Sequence, residues 1–345
     1  MRVLIDTSYA ERGASGTGVY IRSLVAALAE RGEVEVVEAR QPRRMARGRS
    51  GRVWNPARSA ANAALDLDWL ERGLPAQARR SGAAVVHHPL PAWSRRIAVP
   101  QAITVHDVAF GVMPESFDPL WRRVALRQHR RAAGRAGAVI CVSAATAADA
   151  RRLLGAPPER VVVAPHGPGQ ELPVLARSEA PAYFLYVGDA EPRKGLTALL
   201  DAFESLPEPA ELVLAGAAAA GARGPRVRPE PSPRPARLAE LYAGAIALVH
   251  PALHEGFGLP LLEAMRAATP VVAVRNPAVE EVCAHAALLI EPGELAAAMA
   301  RVADDRALQD RLAEAGPRRA ADFSWQRSAE LHERAYRLAA EGPGV

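Results

Sequence analysis

Short runs of apolar, largely β-branched residues recur along the whole chain. In its first half they fall at VLID (Val3–Asp6), VEVV (Val34–Val37), AVVHH ending at His88, ITVHD (Ile103–Asp107) and AVICVS (Ala138–Ser143). Runs of this length and composition predict buried strands. The residues between them follow a different period. Ile21, Leu24, Val25 and Leu28 take the i, i+3, i+4, i+7 spacing of one helix face, and Gly32 stands where a left-handed residue closes such a helix. Strands alternating with helices predict an α/β architecture on a parallel, doubly wound sheet.

After an aperiodic stretch, Gly167–Pro181, the strand signal returns at Tyr183–Gly188, Glu211–Gly216, Ala245–Pro251, Pro270–Val274 and Ala287–Pro292. The aperiodic stretch reads as a linker. The chain therefore reads as two Rossmann-like halves, and its 345 residues, 49% hydrophobic, suit two cores better than one oversized core. The Pro- and Arg-rich segment Arg223–Arg237 interrupts the second series and reads as an irregular surface loop.

A net charge of +5 and a pI near 9.7 suit an anionic partner without naming it. Nucleic acid is not expected, because the arginine-rich stretch Arg40–Arg52 has no aromatic residue for base stacking before Trp54. The segment Leu120–Ala138 sets Trp121, Val124 and Leu126 among six arginines, which would let a basic helix rest on an anionic inner membrane surface. An ordinary surface helix is the plainer reading. Neither a secretory leader nor a run of about 18 apolar residues occurs, so a cytoplasmic location is expected. Cys141 and Cys283 lie in apolar contexts without ligand spacing and read as buried thiols. Asp66-Leu67-Asp68 lies in one helical pattern, where alternate aspartates diverge, so no metal is expected there. Of the 43 Lys and Arg residues only Lys194 is lysine. A site that needs a compact ammonium is one that arginine cannot serve.

Two segments carry the chemistry. In VGDAEPRKGL, Gly188 ends a strand, and Leu196, Leu199, Leu200 and Phe203 follow at helical spacing. Arg193 and Lys194 are thereby placed at a helix N-terminus, where free amides, the helix dipole and two cations together favour a diphosphate. In HPALHEGFGLPLLEAM, a strand ending at Val249 leads to the turn Glu255–Gly258, with Pro260 at the first position of a helix and Glu263 in or just after its first turn. Gly256 and Gly258 let backbone amides come close to a ligand. Two carboxylates with seven residues between them then face one cleft. Glu263 suits the two hydroxyls of a ribose, and Glu255 suits a transferred sugar or positive charge developing on it.

These segments resemble the P-R-K and E-x7-E donor-site signatures of the retaining GT-B glycosyltransferases of family 4, the mannosyltransferase-like group 1 enzymes of bacteria. The resemblance extends through TVHDVAF (Thr104–Phe110), VSAATAADARRLLG (Val142–Gly155), VVVAPHG (Val161–Gly167) and FSW (Phe323–Trp325). It implies two Rossmann-like doubly wound domains facing each other across a donor-binding cleft. An acceptor-side domain would cover 1–170 and a nucleotide-sugar domain 171–325, with a C-terminal helix over 326–345 packing back on the first. Arg193 and Lys194 would neutralise the departing nucleotide diphosphate, so that neither metal nor other cofactor is required. Glu263 would take the ribose. Glu255 and the amides around Phe257, Gly258 and Leu259 would hold the donor sugar and phosphate, with His106 at the cleft edge near the reacting sugar. Gly16 and Gly18, in the loop after the first strand, would approach donor phosphate or acceptor.

The chain departs from the family pattern at Ala268, where a glycine is usual, at Ala284–Ala287, where G-D-A-A is usual, and at His166, where asparagine is usual. These changes are expected to act through packing. The implied reaction moves a sugar from a GDP-mannose-like donor to a hydroxyl acceptor in a glycan, lipid-linked or secondary-metabolite pathway. A non-catalytic nucleotide-sugar-binding protein of the same fold is the alternative. An NAD-dependent dehydrogenase is not expected, since GASGTG at Gly13–Gly18 starts late and has the wrong spacing.

Overall fold

The computed structural model describes residues 1–11, 15–42 and 56–342. Gly13 and Ala14 of GASGTG, and the part of the arginine-rich stretch from 43 to 52, lie outside them. Among the described residues the strands form two six-stranded parallel sheets. The first contains β1 (Arg2–Asp6), β2 (Glu35–Ala39), β3 (Val85–His88), β4 (Gln101–Val105), β5 (Ala138–Cys141) and β6 (Val161–Val163), in the order β2-β1-β3-β4-β5-β6. The second contains β7 (Tyr183–Val187), β8 (Glu211–Ala215), β9 (Val227–Glu230), β10 (Ala245–His250), β11 (Val271–Val274) and β12 (Leu288–Ile290), in the order β12-β11-β10-β7-β8-β9. β3, β4, β5 and β11 are buried along their whole lengths, as parallel strands are when helices cover both faces.

Strand order reverses between β1 and β3 and between β7 and β10. At such switch points the loops leaving neighbouring strands part to opposite faces, and a crevice opens at the carboxyl ends. The two domains set these crevices toward each other.

The Gly16–Arg31 helix shows how the local pattern sets an element. Ser15 begins it by accepting the Gly18 N–H at 3.1 Å, Tyr20, Ile21, Leu24, Ala27 and Leu28 are buried, and Gly32 ends it at φ 68°. The last helix, Trp325–Glu341, leaves the second domain at Ser324 and lies on the first. Its Ala329, Ala335, Tyr336 and Ala339 share one core with Val3, Ile5 and Tyr20. Arg31 grips Glu333 through two N–H donors at 2.8 and 3.0 Å.

A hydrogen-bond chain of fixed polarity runs beneath this helix. His332 Nδ1 donates to the Ser328 carbonyl at 2.7 Å, so its Nε2 must accept the Tyr20 hydroxyl proton at 2.8 Å. Thr104 therefore donates to Tyr20 at 2.8 Å, His87 Nε2 donates to Thr104 at 2.8 Å, and the Tyr336 hydroxyl donates to His87 Nδ1 at 2.9 Å.

Arg223–Arg237 is not the irregular loop that its composition predicts. It contains β9, which pairs in parallel with β8 from Leu212–Val227 to Ala215–Glu230, and then the start of the Pro235–Ala243 helix. Pro229 is tolerated because β9 is the edge strand, where one row of backbone groups needs no partner strand. Cys141 and Cys283 are free and buried, and burial pushes both thiols up to about 12.

Candidate functional site

β7 continues through Gly188–Glu191 into a single 3-10 turn, Pro192–Lys194, while β10 continues through Pro251 to Glu255. Leu253 N–H donates to the Arg193 carbonyl at 3.0 Å and ties the two loops together. Gly195 sits between them at φ 69°, and a Cβ there would stand 2.3 Å from the Pro251 carbonyl oxygen. Only glycine permits that approach. The basic pair thus lies one turn ahead of the Leu196–Glu204 helix rather than in its first turn, and its two side chains part.

Lys194 Nζ donates to Glu255 Oε1 at 2.5 Å. His250 Nε2 lies 3.0 Å from the same oxygen, off the line of a well-aligned hydrogen bond. Burial raises the pKa of Glu255, but Lys194 and His250 outweigh it and hold the carboxyl well below the usual range. The group is ionised throughout the neutral range. Arg193 extends toward the other domain: Nε donates to Glu191 at 2.8 Å, and Nη2 lies 3.8 Å from Asp107 Oδ2. Its Nη1 is buried with no partner among the described residues. A buried guanidinium donor without an acceptor is costly, and an anion in the crevice would relieve that cost.

From the first domain, β4 delivers His106 and Asp107. His106 Nε2 donates to the Pro89 carbonyl at 2.9 Å, which leaves Nδ1 as an acceptor. Burial lowers its pKa, so the imidazole is neutral at physiological pH. The ring stands edge-on to Tyr20 at 4.8 Å. Gly256 presses against the His106 backbone so closely that a Cβ would stand 1.7 Å from the carbonyl oxygen. The Ser143 hydroxyl donates to the Gly256 carbonyl at 2.7 Å. Nearby, Glu281 accepts the Ala144 and Ala145 N–H groups at 2.8 and 3.1 Å, placing a carboxylate of one domain at a helix N-terminus of the other.

Gly258, at φ 97°, precedes the Leu259–Arg266 helix, which begins one residue before Pro260. Gly16 and Gly18 are not in a loop after β1 but in the first turn of the Gly16–Arg31 helix. A Cβ on Gly16 would lie 3.5 Å from Leu259 Cδ1, so the first residues of two helices from opposite domains meet there. Both helices present N–H groups without intrahelical acceptors, which makes the seam electropositive. Gly18 lies inside its turn, where a Cβ would meet Arg22, Ser15 and Ala10, all of the first domain. The Phe257 ring is buried against His166 and Phe323, at 5.0 and 5.8 Å.

Glu263 is 6% exposed and already engaged: Oε1 accepts the Gln170 N–H at 2.9 Å and Oε2 the Tyr242 hydroxyl at 2.7 Å. Burial raises its pKa, with those two bonds acting in the opposite direction. A carboxylate has about four lone-pair sites, so acceptor capacity remains. Sequence reasoning assigned no role to Asp107, Gln170 or Tyr242. Asp107 stands in the motif beside His106 and could have been found there, whereas Tyr242 has the signature of any core aromatic on a helix.

A family model described as glycosyl transferases group 1 matches residues 170–319, and one described as Glycosyltransferase Family 4 matches residues 14–168. The chain is 30% identical over 266 residues to the O-antigen chain mannosyltransferase B of Escherichia coli, covering 68% of this chain and 69% of that one. It is 29% identical over 233 residues to the MMP alpha-(1->4)-mannosyltransferase of Mycolicibacterium hassiacum, covering 60% of this chain and 57% of that one. Among solved structures, sucrose-phosphate synthase from Thermosynechococcus elongatus superposes with a TM-score of 0.77 at 20% identity, covering 98% of each chain.

Proposed function

Since this chain belongs to the group 1 glycosyltransferases of family 4 and has their GT-B fold, we propose that it moves a mannose-like sugar from a nucleoside diphosphate to a hydroxyl acceptor with retention of anomeric configuration. Mannose is favoured by the names of the two curated relatives, and guanosine diphosphate is the first carrier to test. The observation that carries the reading is the convergence of Lys194, Glu255 and Arg193, with its unpaired Nη1, at the β7/β10 crevice.

In this reading the diphosphate lies between the crevice and the seam of helix N-termini at Gly16 and Leu259. Arg193 and Lys194 neutralise the charge that grows as the sugar–phosphate bond breaks, the work that a divalent cation does elsewhere. The acceptor oxygen attacks the anomeric carbon on the face from which the diphosphate leaves, and its proton passes to the leaving phosphate oxygen. Glu255, held ionised, stabilises positive charge on the sugar. His106 Nδ1 accepts a hydroxyl of the transferred sugar. Glu263, oriented by Tyr242, takes the ribose.

A thermal-shift series with GDP, UDP, TDP and ADP and their sugars tests the donor, GDP being expected to give the largest shift. No shift from any of them would overturn the reading. Chelation of divalent metals is expected to leave turnover unchanged. Lys194→Ala is expected to lower kcat by about 10²–10³, the scale of losing one charge-stabilising donor. Lys194→Arg should restore little of it, because a planar fork does not reproduce the ammonium between Glu255 and the phosphate.

A further inference from the structure

The Pro119–Arg135 helix takes no part in the donor cleft, and its outward face is basic with an apolar tip. The helix carries six arginines and no acidic residue. Ala125, Ala132 and Ala133 pack into the domain. Opposite them Leu120, Val124, Arg127, Arg131 and Arg135 follow one another at four- and three-residue steps, forming a single stripe along the helix. Leu120 and Val124 are 67% and 48% exposed, and Trp121 beside them is 52% exposed. Among the described residues none of the six arginines has a carboxylate partner. Asp118, just before the helix, is engaged in capping the Trp121 N–H at 2.8 Å.

The arginines are also held together. Arg131 and Arg135 stack on Trp93 at 5.5 and 4.9 Å, and with Arg95 and Arg127 they line one groove. Like charges gathered without counter-ions repel unless an anionic layer meets them. A Trp-Leu-Val tip remains exposed to water unless an apolar phase meets it. Anionic headgroups above acyl chains supply both, over the roughly 25 Å that a helix of this length spans.

We propose that this face docks on an anionic lipid bilayer, with Leu120, Trp121 and Val124 entering the acyl boundary and Arg127, Arg131 and Arg135 lying among the headgroup phosphates. Trp121 stands edge-on to Phe110 at 5.7 Å. Phe110 lies in the short Ala109–Val112 helix that follows the His106 loop, so a docked chain holds the first-domain side of its cleft beside the lipid. An acceptor carried on a lipid fits that arrangement. This consequence rests on the proposed function, whereas the docking does not.

The test is co-sedimentation of the full chain with phosphatidylcholine vesicles, with and without about a third phosphatidylglycerol. Binding is expected only with phosphatidylglycerol, and high salt should weaken it. Combining Arg127→Glu, Arg131→Glu and Arg135→Glu should weaken binding at least about a hundredfold. Trp121→Ser with Val124→Ser should weaken it severalfold. Both variants should keep the wild-type far-UV spectrum and the wild-type nucleotide thermal shift. Equal binding to both vesicle types, no binding, or wild-type binding by the charge-reversed variant would overturn the proposal. So would displacement by millimolar glycerol phosphate, which would indicate a small-anion site. Loss of the nucleotide shift in the wild-type chain would count against the donor reading and leave the vesicle result standing.

Discussion

Gly256 and Lys194 act through opposite properties, one through the side chain it lacks and the other through the charge it carries. A methyl group on Gly256 would stand 1.7 Å from the His106 carbonyl oxygen, with the Ser143 hydroxyl holding the Gly256 carbonyl on its other side. The turn cannot retreat without parting the domains. Gly256→Ala is therefore expected to lower kcat/KM at least about tenfold, the effect of roughly 1–3 kcal/mol of overpacking placed at the site, with helical content unchanged. A wild-type kcat/KM would show that the contact is not needed. Lys194 stood out in the sequence as the only lysine, set beside Arg193 ahead of a predicted helix. Glu255 stood out as an acid on a glycine-flanked turn. That Lys194 donates to Glu255 Oε1 could not be read there, since 61 positions separate them.

At the scale of elements, helix ends decide the geometry, and one of them is strained. The Leu259–Arg266 helix closes with Thr269 N–H donating to the Ala264 carbonyl and Ala268 N–H to the Met265 carbonyl, a pattern that puts Ala268 at φ 55°. Glycine is the residue suited to that position. Ala268→Gly is expected to stabilise the chain by about 1 kcal/mol, a rise of roughly 2 °C in Tm. A fall in Tm would mean that the alanine methyl contributes more by packing than its backbone conformation costs. Ten strands were legible from their apolar, largely β-branched runs, whereas β6, only three residues long, lies within the VVVAPHG motif and was not read as a strand. β9 was not legible either, because VRPE at an edge lacks the apolar run that burial on both faces imposes. Gly16 and Gly18 were misplaced for a related reason: glycines at a helix start look like a loop until Ser15 is seen to cap them.

At the scale of the whole molecule, the last helix fastens the first domain through buried neutral histidines, which makes stability depend on pH. Burial lowers the pKa of His332 from 6.5 to about 4, and those of His87 and His166 are lowered well below the ordinary value by the same cause. Between those limits the unfolded chain binds protons that the folded chain does not. Stability is therefore complete above the ordinary histidine pKa and falls as the pH drops toward the folded value, by about 3 kcal/mol for His332 alone. Tm is expected to fall steeply from about pH 6.5 to about pH 4.5. A constant Tm across that interval would contradict the buried, neutral network.

By itself the sequence determined the alternation of strand and helix, the division into two halves and the chemical identity of the groups at the ends of β7 and β10. These follow from local periodicity and turn chemistry, which act over a few residues. Only the tertiary structure decided that Lys194 shares an oxygen of Glu255 with His250, that Gly256 closes on His106, and that Glu263 is held by Gln170 and Tyr242. Lys194 and Gln170 lie 61 and 93 residues from the carboxylates they meet, and His106 lies in the other half of the chain from Gly256. They are joined by the reversal of strand order and the facing of two domains, which no periodicity within one segment encodes.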